Sequence, residues 1–320
     1  MEKTRIILSA LVQLSRQEDK VTCALKCKLE WITKKHNLQS AINEDKCHSV
    51  ECLLEILCQL RNVIDISSHL DILTKDNFLW HSLAKGLSHV DGITRKRANY
   101  LLKRFIDSPI NCKDESSFLN SLVPFLDSRN YQQTIKIWND FFIVIETLEE
   151  KQVHLVKQVF NRINQLLSRV PENIESLSST KPLNIVWILV IYKLLFQHQN
   201  QAIVKWSLHN FLINFSGAFL TDDHFVSFMC STFLNTLNSN KHFVYSGISN
   251  ISCEMEALVS EFLSRLMFEK GMDNIENVHR MFLNRFLIGV LSISWGPLPL
   301  FHVTKSIADV LSHGDKTGER

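Results

Sequence analysis

The sequence predicts an all-α protein, built as a HEAT/armadillo-like α-solenoid of antiparallel helix pairs. Only 9 Gly and 6 Pro occur among the 320 residues, so helix breakers are rare. Almost no segment alternates apolar and polar residues with the period of two that a half-buried strand requires. Instead, pairs of apolar helices separated by short polar breaks recur along the chain, which is typical of helical-repeat proteins.

Three helix pairs are the clearest, and each consists of an apolar helix, a polar break and a second helix. They span residues 78–106, 138–170 and 183–214, with breaks at "SHVDG", "EEKQ" and "QHQNQ". One helical hairpin cannot bury its apolar stripe alone, whereas stacked hairpins bury a continuous core. In such a stack the second helices line one long surface.

Further helices are predicted around these pairs, with less regular spacing. They lie at residues 4–15, 20–36, 48–61, 116–127, 223–238, 252–270, 274–294 and 300–312. The uncharged run 286–303 contains Gly296, Pro297 and Pro299, so it predicts a buried helix, a tight turn and a second buried segment, and no membrane span. The predicted solenoid therefore covers residues 1–312 and is followed by a polar tail, 313–320.

Composition limits the possible function classes. The net charge of +2 is too small for a generally basic protein, so polyanion binding would depend on local charge. The 8 cysteines form no CxxC pair and no signal peptide is present, which favours a reduced cytoplasmic or nuclear location. The group Cys47, His48 and Cys52 lacks zinc-ligand spacing, and no nucleophile or phosphate-loop motif occurs, so neither a metal site nor a catalytic residue is predicted.

The stretch "DGITRKRANYLLKRF", residues 91–105, has basic residues around Tyr100 on the face opposite its apolar stripe. Basic groups around an aromatic ring can bind phosphates and stack a base. The second helices of all three pairs lack Asp and Glu, so we expect an acid-free, basic surface that binds RNA. The candidate RNA-binding residues are Lys96, Tyr100, Lys103, Arg104, Lys157, Arg162, Arg169, Lys205 and Trp206.

Two other interpretations remain open for the same residues. Asp91 lies in the turn before the basic helix and is expected to pair with Arg97, which would give both a structural role. The basic face is otherwise either an ordinary solvated helix surface or a groove for an acidic protein segment. In the latter case the chain is a protein-interaction scaffold or a transport-receptor-type adaptor.

The helix pairs also resemble a known family. The segments "GITRKRANYLLKRF", "FFIVIETLEEKQVHLV", "WILVIYKLLFQHQNQAIVKWSL" and "WGPLPLFHV" are similar to the N-terminal helical-repeat region of the TAR RNA-binding-protein-1 family. These proteins are tRNA guanosine-18 2′-O-ribose methyltransferases of the SPOUT type. The resemblance covers roughly residues 70–310.

The resemblance implies an RNA-holding scaffold whose partner is tRNA or another structured RNA. It implies that S-adenosylmethionine binds to a separate C-terminal knotted domain, which has no counterpart in these 320 residues. No cofactor is therefore expected in this chain, no catalytic residue can be transferred, and the chain alone is expected to be inactive.

Overall fold

The computed structural model describes residues 54, 58, 77–107, 131–149, 153–170, 183–239, 241–243, 253–268 and 275–317. Within these residues the regular structure is helical and no strand occurs, which confirms the all-α prediction. Several predictions lie outside the described residues. They are the helices 4–15, 20–36 and 116–127, the helix 48–61 apart from Leu54 and Cys58, and residues 318–320 of the tail.

The helices follow one another with short connections. In chain order they are α1 (Asn77–Leu87), α2 (Gly92–Asp107), α3 (Tyr131–Leu148), α4 (Val153–Gln158), α5 (Phe160–Leu167), α6 (Ile185–Phe196), α7 (Gln201–Asn214), α8 (Asp223–Phe228), α9 (Leu234–Leu237), α10 (Glu254–Phe268), α11 (Ile275–Ser292) and α12 (Pro297–Thr317). A 3₁₀ turn, Gly217–Thr221, precedes α8, and a π-helical turn, Met229–Phe233, joins α8 to α9.

The helices predicted for the three pairs are present, as α1 and α2, as α3, α4 and α5, and as α6 and α7. The predicted second helix 153–170 is not continuous, because it divides at Val159, whose amide bonds to the carbonyl of Val156. The apolar spacing continues through this break, so periodicity alone does not reveal it. At the other end of the chain α12 continues to Thr317, into the predicted polar tail, since no proline stops it.

The chain divides into two compact units. Unit 1 comprises residues 1–146, 162–169 and 179–190, and unit 2 comprises residues 147–161, 170–178 and 191–320. Each unit has its own aromatic core.

The core of unit 1 is built around three tryptophans. Trp80, Trp138 and Trp187 are each 0% exposed. The Trp187 ring lies 6.4 Å from Trp80 and 5.4 Å from Trp138, edge to face in both cases. Such edge-to-face contacts are favourable because the positive ring edge meets the negative ring face. They join α1, α3 and the start of α6.

The core of unit 2 centres on Phe211 in α7, which is 0% exposed. Its ring contacts aromatic rings of α6, α8, α10 and the π-helical turn. These neighbours are Tyr192, Phe196, Phe215, Phe225, Phe228, Phe233 and Phe262. Burial raises the pKa of Tyr192, and its hydroxyl donates a hydrogen bond to Asn210 Oδ1 at 2.5 Å.

The C-terminal end of α7 is closed from a distant part of the chain. The Arg265 guanidinium on α10 donates to the carbonyls of Leu212 and Ile213. Helix ends leave carbonyls without partners, and a cation there satisfies them and opposes the negative end of the helix dipole. This contact orients α10 against α7.

The π-helical turn lies where α11 crosses the segment from α8 to α9. A Cβ placed on Gly289 would lie 2.7 Å from the carbonyl oxygen of Cys230 and 3.1 Å from Leu234 Cδ1. Only a residue without a side chain permits this approach of α11. The close contact brings the buried side chains of α11 onto the buried side of α9.

The uncharged run 286–303 has the predicted helix–turn–helix form. α11 ends at Ser292, α12 begins at Pro297, and Asn238 bonds to both sides of the turn, at Ser294 O and Gly296 N. Proline suits the first position of a helix because its missing N–H has no partner there in any case. Among the residues that the structure describes, no helix has the length and apolarity needed to cross a bilayer.

We expect Gly289→Ala to lower the free energy of unfolding by about 1–3 kcal/mol, because the new methyl group overlaps the Cys230 carbonyl. Urea denaturation followed by circular dichroism measures this. Ile288→Ala is the matched control, since Ile288 is 66% exposed and its truncation should change little. Equal stability of the Gly289 variant and the wild type would show that the close approach is not a constraint.

Candidate nucleic-acid interface

The turn before α2 is held by Asp91. Asp91 Oδ2 accepts hydrogen bonds from the backbone amide and the hydroxyl of Thr94, both at 2.7 Å. These bonds, led by that of the Thr94 side chain, lower the pKa of Asp91. Asp91 is therefore a helix-capping residue that bonds to Thr94, and its pairing with Arg97 stays a prediction.

Arg95 is the basic side chain that closes this turn. Its Nη1 donates to the carbonyls of His89 at 2.7 Å and Val90 at 2.8 Å. The sequence analysis did not assign Arg95 this role. The turn leaves Val90 and Ile93 88% and 61% exposed.

The two faces of α2 match the sequence prediction. Thr94, Ala98, Leu101, Leu102 and Phe105 are buried, as expected. On the opposite side Lys96, Lys103 and Arg104 are exposed and Tyr100 is 37% exposed. Lys96 makes no ion pair with any residue in the described part of the chain.

Lys103 has a partner on α3 that the sequence did not suggest. Its Nζ lies 4.0 Å from Glu146 Oε1 and 5.7 Å from the centre of the buried Phe142 ring. Both charged side chains are about half exposed, at 50% and 55%. Asn99, one turn before Lys103, donates from Nδ2 to the same Glu146 oxygen at 3.2 Å.

Arg162 and Arg169, the remaining candidates in unit 1, differ in whether they form an ion pair with a described residue. Arg162 on α5 forms an ion pair with Asp140 on α3, and the two side chains are 42% and 24% exposed. Arg169 is exposed and makes no ion pair among the residues that the structure describes.

Unit 2 contains the other three candidates. Lys157 on α4 is exposed, whereas Lys205 on α7 lies 3.4 Å from Glu254 on α10. Trp206 is half-buried, because its indole stacks on the Phe160 ring at 3.5 Å with an interplanar angle of 4°. One face of Trp206 is therefore occupied by the protein and is not available to a base.

The expected acid-free surface is therefore not what the fold produces. The predicted second helices lack acids, but α2 extends to the exposed Asp107, and Glu146, Asp140 and Glu254 from neighbouring helices lie next to Lys103, Arg162 and Lys205. Sequence reasoning considered each helix separately and could not anticipate charges from its neighbours. Lys96, Lys103 and Arg104 give α2, in unit 1, three exposed cations.

Other chemistry that the sequence considered is not brought together. Within the described ranges, no group of three or more His, Cys, Asp or Glu side chains could hold a metal ion. Cys253 is buried, and Cys58 and Cys230 are partly buried. His198 accepts a hydrogen bond from the Asn200 amide at 3.0 Å, which is a turn contact.

One charged cluster in unit 2 was missed by the sequence analysis. Glu256 on α10 binds His302 Nδ1 through one carboxylate oxygen and Lys305 Nζ through the other. His302 is 1% exposed and stacks on Phe243 at 5.0 Å. His302 and Lys305 are one turn apart on α12, but nothing near them in the sequence indicates Glu256, so the cluster has no local signal.

Burial acts to raise the pKa of Glu256, but the hydrogen bonds and charges of Lys305 and His302 together outweigh it and hold that pKa below its ordinary value. A network of this kind stabilises the packing of α10 against α12. His302 and Glu256 are 1% and 13% exposed and serve this packing, so we assign the cluster a structural role.

Comparison with known proteins gives one distant similarity. The chain is 27% identical over 140 residues to the tRNA (guanosine(18)-2'-O)-methyltransferase TARBP1 of Mus musculus. The alignment takes in 42% of this chain and 9% of that protein, so the chain spans a small part of the relative's length. No family model matches the chain, and no solved structure matches it.

The Glu256 cluster gives a pH prediction. Because the folded-state pKa of Glu256 lies below its ordinary value of 4.5, the carboxylate stabilises the fold above that pH, and this contribution is lost as the pH falls through the folded-state pKa. We expect Glu256→Gln to be less stable at pH 7 and to lose less stability on acidification, as measured by urea unfolding from pH 7 to pH 3.

Glu261→Gln on the same helix is the control, since Glu261 is exposed and forms no ion pair with a described residue. If the stability of Glu256→Gln fell with pH as much as that of the wild type, other carboxylates would account for the loss of stability in acid.

Proposed function

We propose that this chain is an RNA-binding α-solenoid region related to tRNA 2′-O-ribose methyltransferases, and that α2 is its principal RNA contact. The observation that most supports the proposal is the similarity to the mouse tRNA methyltransferase, because helical segments of this kind otherwise carry no function signal. The all-helical structure of the described residues is compatible with the proposal.

The contact would be electrostatic and would not require base-specific hydrogen bonds. Lys96 and Lys103 lie seven positions apart, on one side of α2 and about 10 Å apart along its axis. Exposed cations at this spacing bind backbone phosphates and position a folded RNA without reading its sequence. Arg104 and Tyr100 extend the same surface.

The other sequence-based expectations follow the same proposal. Residues 1–312 would form the solenoid, the protein would act in the cytoplasm or nucleus, and methyl transfer would need a separate catalytic domain. We assign no residue of this chain to S-adenosylmethionine.

Of the nine candidate RNA-binding residues we retain six as direct contacts: Lys96, Tyr100, Lys103, Arg104, Lys157 and Arg169. Lys205 is not retained because it lies 3.4 Å from Glu254, closer than Lys103 lies to Glu146. Arg162 and Trp206 are not retained because they contact Asp140 and Phe160 directly.

A protein-interaction scaffold or transport-receptor-type adaptor is the second candidate, and the solvent face of α11 favours it. Met281, Ile288 and Leu291 are 64%, 66% and 85% exposed, and they lie along one side of the helix. Arg280 and Arg285 are exposed on the same helix, so an acidic amphipathic segment would complement this face. Polyglutamate is a probe for this alternative.

We expect the 320-residue chain to bind a transcribed tRNA with affinity that falls steeply with salt, because phosphate binding releases counterions. Replacing Lys96, Lys103 and Arg104 with Ala should weaken binding and reduce the slope of log affinity against log salt by about 2–3, since each phosphate contact contributes about 0.7–0.9. Fluorescence anisotropy at several salt concentrations measures both quantities.

The matched control replaces Lys136, Lys241 and Arg280 with Ala, which removes the same charge at exposed positions elsewhere. Similar losses in both triple variants would indicate only general electrostatic attraction. Polyglutamate that binds as tightly as tRNA and displaces it would favour the protein-interaction function.

A further inference from the structure

Glu146 on α3 is an acidic side chain that lies beside the proposed RNA surface of α2. Its Oε1 lies 4.0 Å from Lys103 Nζ and accepts a hydrogen bond from Asn99 Nδ2 at 3.2 Å. Lys96, Asn99 and Lys103 occupy positions i, i+3 and i+7 of α2 and therefore share one side of the helix. The carboxylate thus lies among the groups that would contact phosphate.

The Lys103–Glu146 ion pair is longer and more exposed than the Arg162–Asp140 pair, which also involves α3. Arg162 and Asp140 are in direct hydrogen-bonding contact, and Asp140 is only 24% exposed. Lys103 and Glu146 are both about half exposed, at the outer limit of an ion pair. An exposed pair of this kind contributes little to stability and is readily separated.

Lys103 also retains a favourable position when the carboxylate is displaced. Its ammonium lies 5.7 Å above the Phe142 ring, whose negative face attracts a cation. Phe142 is 2% exposed, so this platform is fixed by the core. Lys103 can therefore exchange one anionic partner for another without leaving the surface.

We propose that Glu146 is an internal competitor for RNA phosphate at Lys103, which sets the affinity of the α2 surface. This inference rests on the proposed function. A single phosphate that replaces the Glu146 carboxylate at Lys103 is still repelled by that carboxylate, because Asn99 keeps it nearby. A folded RNA that supplies a second phosphate to Lys96 gains enough to displace Glu146, so the acid favours closely spaced phosphates over isolated anions.

The test is tRNA binding by the full chain with Glu146→Gln, measured by anisotropy at low and high salt. We expect the variant to bind about two- to five-fold more tightly at low salt, which corresponds to removing one exposed ion pair, with a smaller gain at high salt. Glu146→Gln keeps an oxygen that can accept from Asn99, and the side chain is 55% exposed, so the fold should be retained.

Two further variants make the test specific. Asp223→Asn gives the same change in net charge at a site that pairs with Arg285, and it should not tighten binding. In a Lys103→Ala background Glu146→Gln should give a clearly smaller gain, because the competition requires the ammonium; a double-mutant cycle measures this coupling.

The possible failures are distinguishable. If the wild-type chain binds no tRNA, the proposed function fails and the role of Glu146 fails with it. If the chain binds tRNA through Lys96 and Lys103 but Glu146→Gln is unchanged, or gains as much without Lys103, the proposed function stands and the competitor role is overturned.

Discussion

Each unit depends on aromatic side chains that join helices far apart in the sequence. In unit 2 the buried Phe211 ring contacts rings from α6, α8, α10 and the π-helical turn, so one side chain connects most of the unit. In unit 1 Trp187 has the same function toward Trp80 and Trp138. Large rings suit this purpose because each buries a large apolar area and has few conformations to lose. The positions of the exposed charges follow from these contacts, since the rings determine which helix faces turn outward.

The charged surface shows how a basic helix is modified by its neighbours. The second helix of each pair provides cations, and acids from other helices meet some of them, as Glu146 meets Lys103 and Glu254 meets Lys205. Exposed pairs of this kind add little to stability, so their main effect is on the potential that a ligand encounters. The chain has a net charge of only +2. Some of its exposed cations are partly neutralised by neighbouring acids, whereas Lys96 makes no ion pair with a described residue.

Much of the fold could be predicted from the sequence, because a helix of period 3.6 leaves a local pattern. The buried face of α2 and the turn between α11 and α12 were both predicted in this way. The candidate site was predicted only as a set of cations. The positions of Glu146 beside Lys103 and of Phe160 beneath Trp206 depend on packing between helices, which no single helix encodes. For the same reason Arg265 at the end of α7 and the Glu256 cluster gave no sequence signal.

The π-helical turn explains why the buried residues of α8 and α9 do not follow the regular helical spacing. Phe225, Val226 and Met229 are buried, and the corresponding buried residues Phe233, Leu234 and Leu237 follow at intervals of eight positions. A regular α-helix repeats its face after about seven residues, so this segment contains one residue more than its two faces require. The turn absorbs the additional residue and keeps both faces directed into the core. Deleting one residue between 229 and 233 would therefore leave a regular helix with its apolar face intact. In most helices a deletion would instead rotate the apolar face away from the core.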